Sequence, residues 1–267
     1  MTRLEARFRY PFILLRQLIK TDFKLRYQGS VLGYVWSLLR PLALFLILYV
    51  VFVRFLRIGG NIPHYPVYLL LGIVFWNYFT EVTIGSVSAI VARGDLLRKI
   101  NFPRYVIVLA GSFSALINLS LNLLVIGLFM WVSHIDLRAG AVLLPLLIFE
   151  LFVFSLAIAF FLSAVFVRFR DISYIWEVIM QGAFYATPIL YPLSAIPAGA
   201  AKLLILSPVA QVIQDARYVL VTDQAQTISF LYGNHWIRLV PAGIALLTVV
   251  VSVTYFRKRS RYFAEDV

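Results

Sequence analysis

Long, uninterrupted blocks of apolar residues constrain this chain more than any other feature of its sequence. Several blocks reach about 20 residues, which is roughly what a helix needs to cross a hydrocarbon core about 30 Å thick. The blocks are continuous Leu, Ile, Val and Phe without in/out alternation, so a β-barrel is disfavoured. Only 13% of the residues are charged, about half the share of a soluble domain. The sequence predicts an all-α membrane protein.

Six spanning helices are expected in a single transmembrane domain covering residues 1–267. The expected spans are 31–53, 67–91, 105–132, 141–167, 172–191 and 237–256. If both termini are cytoplasmic, the inner segments hold 17 of the 24 Lys and Arg residues and the outer segments hold 6, with Arg40 inside the first span. Short cytoplasmic loops are rich in Lys and Arg, so this orientation is predicted.

The N-terminal segment 1–30 is basic and has one apolar stripe. If it is helical beyond Pro11, the side chains of Phe12, Leu15, Ile19 and Phe23 share one face. This pattern favours an amphipathic helix in the cytoplasmic interface, with the stripe in lipid. A solvated basic tail is the alternative.

The segment 192–236 is apolar but irregular. Pro188, Pro192, Pro197 and Pro208 divide it and the residues before it into pieces of roughly 10 to 14 residues, too short to span. Re-entrant or interfacial helices on the outer side are expected, because irregular backbone at membrane depth must be covered by protein or line a cavity. An ordinary outer loop is the alternative.

Arg40 is a charged residue inside the first span, where a charge costs about 2.5 to 3.5 kcal/mol. A guanidinium binds phosphate through paired hydrogen bonds, so Arg40 is a candidate for a phosphate-bearing substrate. It could equally lie near the inner interface and extend towards water. Tyr34 and Trp36 precede it and could stack on sugars.

Acidic and amide residues also lie inside the spans. Glu81 and Glu150 could relay protons, but a lone acid on a helix more often makes an interhelical hydrogen bond. Ser114, Asn118 and Asn122 recur every four residues on the third span, a spacing that favours helix packing.

Several classes of site have no residues to support them. The chain has no cysteine, and His64, His134 and His235 stand apart with no second ligand at metal spacing, so no metal site is expected. No glycine begins a phosphate-binding G-x-x-x-x-G-K-[ST] loop, and no catalytic set is recognisable. A transport subunit that takes its energy from a partner is favoured over an enzyme.

A series of motifs resembles the membrane subunits of type-2 ABC exporters of lipid-linked polysaccharides, which include O-antigen and teichoic acid exporters. The series covers the chain in order and consists of Lys20–Pro41 (KTDFKLRYQGSVLGYVWSLLRP), Lys99–Arg104 (KINFPR), Phe169–Ile172 (FRDI), Ala186–Tyr191 (ATPILY) and Ser207–Arg217. No single motif is specific, but the series is.

The resemblance implies a bacterial inner-membrane permease that forms a homodimer with two copies of a cytoplasmic ATP-binding subunit. ATP and magnesium would be bound by that partner, and neither a cofactor on this chain nor nucleic acid is expected. The resemblance also implies that residues 93–104 of this chain form a coupling helix that rests on the partner. Gly94 and Pro103 bracket Asp95–Phe102, which agrees with a short helix there. The expected coupling residues are Arg93, Asp95, Arg98, Lys99, Phe102, Pro103 and Arg104, with Arg170 and Asp171 in a second contact.

For the other two regions, site residues are expected as follows. The tentative substrate path contains Tyr34, Trp36, Arg40 and Glu81, and the outer gate contains Pro188, Tyr191, Pro192, Pro197 and Pro208. Two other functions stay open from the residues alone. One is an ion-coupled flippase or secondary transporter that uses Glu81 or Glu150, and the other is a membrane-embedded glycosyl- or acyltransferase.

Overall fold

The fold was analysed in a computed structural model that describes residues 3–27, 33–55, 62–95, 102–260 and 263. Regular structure in these residues is helical throughout. The α-helices are α1 (Arg3–Tyr27), α2 (Trp36–Tyr49), α3 (Tyr65–Val87), α4 (Tyr105–Val132), α5 (Leu144–Phe166), α6 (Ile172–Ala186), α7 (Ala198–Leu204), α8 (Pro208–Leu220), α9 (Ile228–Tyr232) and α10 (Leu239–Arg259). A π-helical turn, Val50–Phe55, extends α2.

Five helical segments are long and apolar enough to cross a membrane. They are Trp36–Phe55, Tyr65–Val87, Tyr105–Val132, Ala139–Phe166 and His235–Arg259. These segments coincide with five of the six expected spans, so the prediction of an all-α, multi-pass membrane protein is confirmed.

The fifth expected span, 172–191, is shorter than predicted. Its helix α6 ends at Ala186 and has 15 residues, about 22 Å of rise. The helix stops because Pro188 disfavours helical geometry at the preceding residue, and Thr187 is extended at φ −76° and ψ 137°. By itself, α6 is therefore shorter than a typical hydrocarbon core.

The segment after α6 folds into short helices. α7 and α8 meet at an angle of 103° across a break of three residues. Pro197 directly precedes α7 and Pro208 is the first residue of α8, where a proline costs no hydrogen bond. Sharply bent short helices are the arrangement expected of a re-entrant segment.

The helix α3 forms the centre of the molecule. In its most apolar window, 78% of the residues are buried inside the protein, against 11% for the α2 span. α3 packs against α2, α4, α5, α6 and α8. A helix that is surrounded by other helices is apolar on all sides and has no single apolar stripe. In contrast, α2 keeps a broad apolar surface that is not buried inside the protein.

The N-terminal helix α1 lies against the start of α4. Leu18 is buried with Phe102, Val106 and Ile107, and Leu15 and Ile19 pack on the same cluster. The expectation that the whole stripe faces lipid is therefore wrong for Leu15 and Ile19. Phe12 is 67% exposed, because it lies one turn before the residues that contact α4, and the side chain of Phe23 lies outside the described residues.

Both ends of the chain reach the start of α4. Leu18 packs there from the N-terminal side, and Phe263 stacks against Arg104 at 5.9 Å from the C-terminal side. Leu18 and Phe263 therefore lie at the same end of the molecule.

Candidate transport site

A cavity of about 470 Å³ lies between α2, α3 and α4. It is at the end of the molecule where α2 begins and α3 ends. Trp36 and Arg40 line it from α2, Glu81 lines it from α3, and Asn118 and Asn122 line it from α4. The structure thus brings together three of the four residues proposed for the substrate path. The backbone of Tyr34 is in the 3-10 turn before α2, and its side chain lies outside the described residues.

The polar side chains of this cavity are tied together across helices. Asn118 Nδ2 donates to Glu81 Oε1 at 2.8 Å, and Asn122 Nδ2 donates to the carbonyl of Ser37 at 3.3 Å and to that of Asn118 at 2.8 Å. Glu81 therefore makes the interhelical hydrogen bond that its isolation in the sequence favoured. The amide stripe on α4 does more than pack, because it forms one wall of the cavity.

Two buried polar atoms at the cavity have no hydrogen-bond partner among the described residues. They are the hydroxyl of Tyr78 and Oδ1 of Asn118. A buried polar group without a partner costs about 1 to 3 kcal/mol, so a ligand or water that satisfied these atoms would be held well. Arg40 and Trp36 are both exposed at the cavity. The wall therefore offers one cation, one carboxylate, an aromatic ring and amides, which can hydrogen-bond a hydroxyl-rich molecule.

The end of the molecule that holds α8 is organised around Arg217, which has no solvent exposure. Its Nη1 and Nη2 donate to the carbonyls of Pro188 and Ile189 at 2.6 and 2.7 Å, and its Nε donates to the carbonyl of Tyr68 at 3.0 Å. The guanidinium also lies 3.7 Å from the centre of the Tyr68 ring. One side chain thus joins α8 to α3 and to the turn after α6.

The gate prolines and Tyr191 are placed as helix ends and turns. Pro188 exposes the carbonyl that Arg217 binds, and the hydroxyl of Tyr191 donates to the carbonyls of Tyr185 and Ala186 at the end of α6. Pro192 precedes the 3-10 turn Leu193–Ala195. Together with Pro197 and Pro208 before and at the starts of α7 and α8, these residues mark the breaks between the short helices that follow α6.

A second cluster of polar side chains lies on α8 and the elements packed against it. Gln211 Nε2 donates to Asp215 Oδ2 at 2.7 Å, and Arg238 Nη2 lies 3.5 Å from Asp215 Oδ1. Glu150 of α5 lies close enough to interact with Gln211 and Asp215. Glu150 therefore has acidic, amide and basic neighbours, whereas the sequence alone showed it as isolated.

The expected coupling residues divide into buried, paired and exposed positions. Arg93 forms an ion pair with Asp22 of α1, and Phe102 is buried under α1. These two residues attach the segment to the rest of the molecule. Asp95 is exposed, Pro103 and Arg104 are half-buried, and Arg98 and Lys99 lie outside the described residues.

The second coupling contact is fully exposed. Residues 168–171, which include Arg170 and Asp171, form the short connection between α5 and α6. Arg170 lies 5.1 Å from the ring centre of Phe166, and Asp171 is the residue before α6. This connection offers a surface that a partner protein could reach.

The residues that sequence reasoning missed are Arg217, Tyr78 and Asp215. Arg217 was noted only as the end of a motif, although a charged residue between prolines in an apolar segment is a signal of a buried role. Tyr78 gives no such signal, because a tyrosine in an apolar helix is common at membrane interfaces.

Comparison with known proteins identifies the family. The chain is 31% identical over 262 residues to an O-antigen export system permease protein RfbA of Myxococcus xanthus, covering 95% of each chain. It is 30% identical to an RfbA protein of Klebsiella pneumoniae, covering 96% of this chain and 95% of that one. It is 23% identical to the polysialic acid transport protein KpsM of Escherichia coli, covering 94% and 95%. The sequence model of the ABC-2 type transporter family matches residues 13–221, and the chain therefore belongs to that family.

Proposed function

We propose that this chain is the permease of an ATP-driven exporter that moves a lipid-linked polysaccharide, of the O-antigen or capsule kind, across the bacterial inner membrane. It would work as a homodimer with two copies of a cytoplasmic ATP-binding subunit, which binds ATP and magnesium, and both of its termini would be cytoplasmic. Teichoic acid is a related substrate that the family resemblance allows. The permease itself would perform no chemistry.

The observation that carries this proposal is the similarity to two polysaccharide export permeases at 30% identity or more over nearly the whole chain. The sequence supports a separate motor, because it has no phosphate-binding loop of its own. The exposed connection 168–171 and Asp95 supply surface for that motor at the end where both termini meet.

The cavity between α2, α3 and α4 supports a role in substrate handling. In this proposal Arg40 meets the phosphate that joins the glycan to its lipid, and Trp36 and the amides of α4 meet sugar rings and hydroxyls. A guanidinium provides paired hydrogen bonds to phosphate, and an aromatic ring provides an apolar face for stacking.

Reconstitution with a partner tests the proposed function. The chain would be expressed with an ATP-binding ABC subunit of the same genome, in cells that make the lipid-linked glycan, and surface glycan would be measured. Export is expected with the intact partner and is expected to stop when the phosphate-loop lysine of the partner is replaced. Export that continues without nucleotide hydrolysis, and that stops when the proton gradient is collapsed, would support the ion-coupled alternative.

A substitution at Arg40 tests the substrate path separately. Arg40→Gln is expected to lower export about tenfold or more, because a hydrogen bond to a charged group contributes about 1.5 to 3 kcal/mol. Arg40→Lys should retain part of the activity. Arg54→Gln, which removes a cation from the far end of the same span, is the matched control and should leave export unchanged. Equal effects of Arg40→Gln and Arg54→Gln would remove Arg40 from the path.

A further inference from the structure

A second cavity, distinct from the transport site, opens at the end of the molecule where the two termini meet. It has a volume of about 490 Å³ and is bounded by the start of α4, by α5 and by the last turns of α10. This volume is within the range of small-molecule sites, about 300 to 1,000 Å³. We refer to it as the basic groove.

The basic groove is polar at one end and apolar at the other. Arg104, Arg257 and Ser260 lie at the polar end, and Phe160, Val253 and Phe256 line the remainder. Val253 is one helical turn before Arg257 on α10, so it lies about 6 Å deeper along the helix. The groove therefore has the polarity of a single leaflet, with charge at the membrane surface and apolar side chains below it.

Among the described residues, no carboxylate pairs with the positive charges in the groove. Of the described residues that line it, none is acidic, and neither Arg104 nor Arg257 forms an ion pair with a described carboxylate. Arg104 lies against the ring of Phe263, which in turn contacts Phe256. The aromatic contacts hold the Arg104 guanidinium at the mouth of the groove.

The first turn of α4 adds to the attraction for an anion. Arg104 directly precedes α4 and no side chain caps the helix there, while the amides of Val106 and Ile107 donate to the carbonyls of Pro103 and Arg104. The amide groups of an uncapped helix start carry partial positive charge. Two guanidiniums, a hydroxyl and a helix start thus face the same space from α4 and α10.

We infer that the basic groove binds the headgroup of an anionic phospholipid of the inner leaflet, with Arg104 and Arg257 on the phosphate and the acyl chains along Phe160 and Val253. Basic pockets between membrane helices at the cytoplasmic surface suit such headgroups. The apolar depth of the groove favours a lipid over a free phosphate, because a free phosphate would leave the aromatic wall unused. Binding of an anionic headgroup does not depend on the proposed function, whereas the assignment to the inner leaflet rests on the orientation proposed there.

Lipid retention by the purified full-length chain tests the inference. The chain would be isolated in a mild detergent, and phosphatidylglycerol, phosphatidylcholine or inorganic phosphate would be added. Bound lipid would be counted by native mass spectrometry, and the thermal midpoint would be recorded. Phosphatidylglycerol is expected to be retained and to raise the midpoint, whereas phosphatidylcholine and inorganic phosphate are expected to do neither.

Paired substitutions make the test specific for the groove. Arg104→Gln with Arg257→Gln is expected to lower the affinity for phosphatidylglycerol about 30-fold, since each basic residue near an anionic surface contributes about fivefold. Arg104→Lys with Arg257→Lys keeps both charges and should retain most of the affinity for phosphatidylglycerol. This pair therefore separates a loss of charge from unfolding of the chain. Arg168→Gln with Arg170→Gln removes two exposed arginines from the other connection and should change nothing.

Three results would overturn the inference. Equal retention of phosphatidylglycerol and phosphatidylcholine would mean that the arginines select no headgroup. A rise in the midpoint with inorganic phosphate equal to that with phosphatidylglycerol would make the groove a phosphate site. Complete displacement of the lipid by an ATP-binding subunit would make the groove a protein contact.

Discussion

Arg217 is the residue on which the end of the molecule that holds α8 depends most. It is a fully buried cation, and its hydrogen bonds within the described residues run to backbone carbonyls 28, 29 and 149 residues away along the chain. A buried charge is tolerated only when hydrogen bonds and neighbouring groups replace water. Here three carbonyls and the face of Tyr68 do so.

We expect Arg217→Lys to lower the free energy of unfolding by about 3 kcal/mol, because an ammonium cannot match the fork of a guanidinium and hydrogen bonds to a charged group contribute about 1.5 to 3 kcal/mol each. Unfolding by SDS in mixed micelles would measure it. Arg138→Lys is the control, because Arg138 is 42% exposed and forms only a 3.5 Å surface pair with Asp223, a kind of pair that contributes less than about 1 kcal/mol. Equal losses for the two variants would contradict this role of the Arg217 hydrogen bonds.

Gly72 provides an independent test of the packing around the Arg217 guanidinium. A Cβ at this position would overlap the Arg217 guanidinium, whereas a Cβ at Gly127 would meet nothing within 4 Å. Both glycines lie inside helices, where Ala is better than Gly by about 1 kcal/mol. We therefore expect Gly127→Ala to stabilise the chain slightly and Gly72→Ala to destabilise it in the same SDS assay. Stabilisation by both variants would show that the guanidinium moves aside at no cost.

At the scale of helices, α1 is held by a cluster of apolar contacts and by one ion pair. Leu18 supplies the apolar contact to α4, and Asp22 pairs with Arg93 after the end of α3. The side chains of the pair are only 20% and 23% exposed. The ion pair therefore joins the N-terminal helix to the first residue of the expected coupling segment.

Charge reversal tests this connection. Asp22→Arg and Arg93→Asp alone are each expected to lower the free energy of unfolding by about 1 kcal/mol or more, because each places two like charges together. The swapped double variant should regain most of the loss in the same assay. If the proposed function holds, ATP-dependent export should fall and recover in parallel. Additive losses in the double variant would show that the two residues do not interact.

The short helix α7 can be followed by thiol labelling, since the chain has no cysteine to remove. Leu203 is 70% exposed and Ala201 is 1% exposed on the same helix. We expect Leu203→Cys to react with a membrane-impermeant reagent in every state. Ala201→Cys should react only when a trapped nucleotide state moves α7. Labelling of Ala201→Cys that is the same in both states would indicate a static loop.

Hydropathy predicted most of the helices well, because length and lipid exposure leave few alternatives to a helix. The break before α8 was anticipated from Pro208, whereas the fifth span was predicted to run past Pro188 to residue 191, five residues beyond the end of α6. The cavity lining was only partly foreseen. Trp36, Arg40 and Glu81 stood out as charged or aromatic, whereas Tyr78 and Asn118 became distinctive only when α3 and α4 were packed. The partners of Arg217 lie far along the chain, so no local pattern could name them.

At the scale of the whole molecule, the two ends are built from different helices. The start of α4 gathers the helix α1, Phe102 and Phe263, and the opposite end gathers α7, α8 and the start of α10. The orientation of these ends in the membrane follows from the distribution of Lys and Arg.

Accessibility in spheroplasts tests the orientation. Trp236 is 76% exposed at the end that holds α8, and Phe169 is 54% exposed at the other end. We expect Trp236→Cys to react with an impermeant thiol reagent added outside, and Phe169→Cys to react only after the membrane is permeabilised. The reverse pattern would place both termini outside.

The position of Arg217 in the sequence also has a consequence for folding during synthesis. Its three carbonyl partners, on Tyr68, Pro188 and Ile189, all leave the ribosome before Arg217 does. Because the chain is synthesised from the N-terminus, this buried cation can be matched as soon as it enters the membrane. The end of the molecule that holds α8 can then close before α10 has left the ribosome.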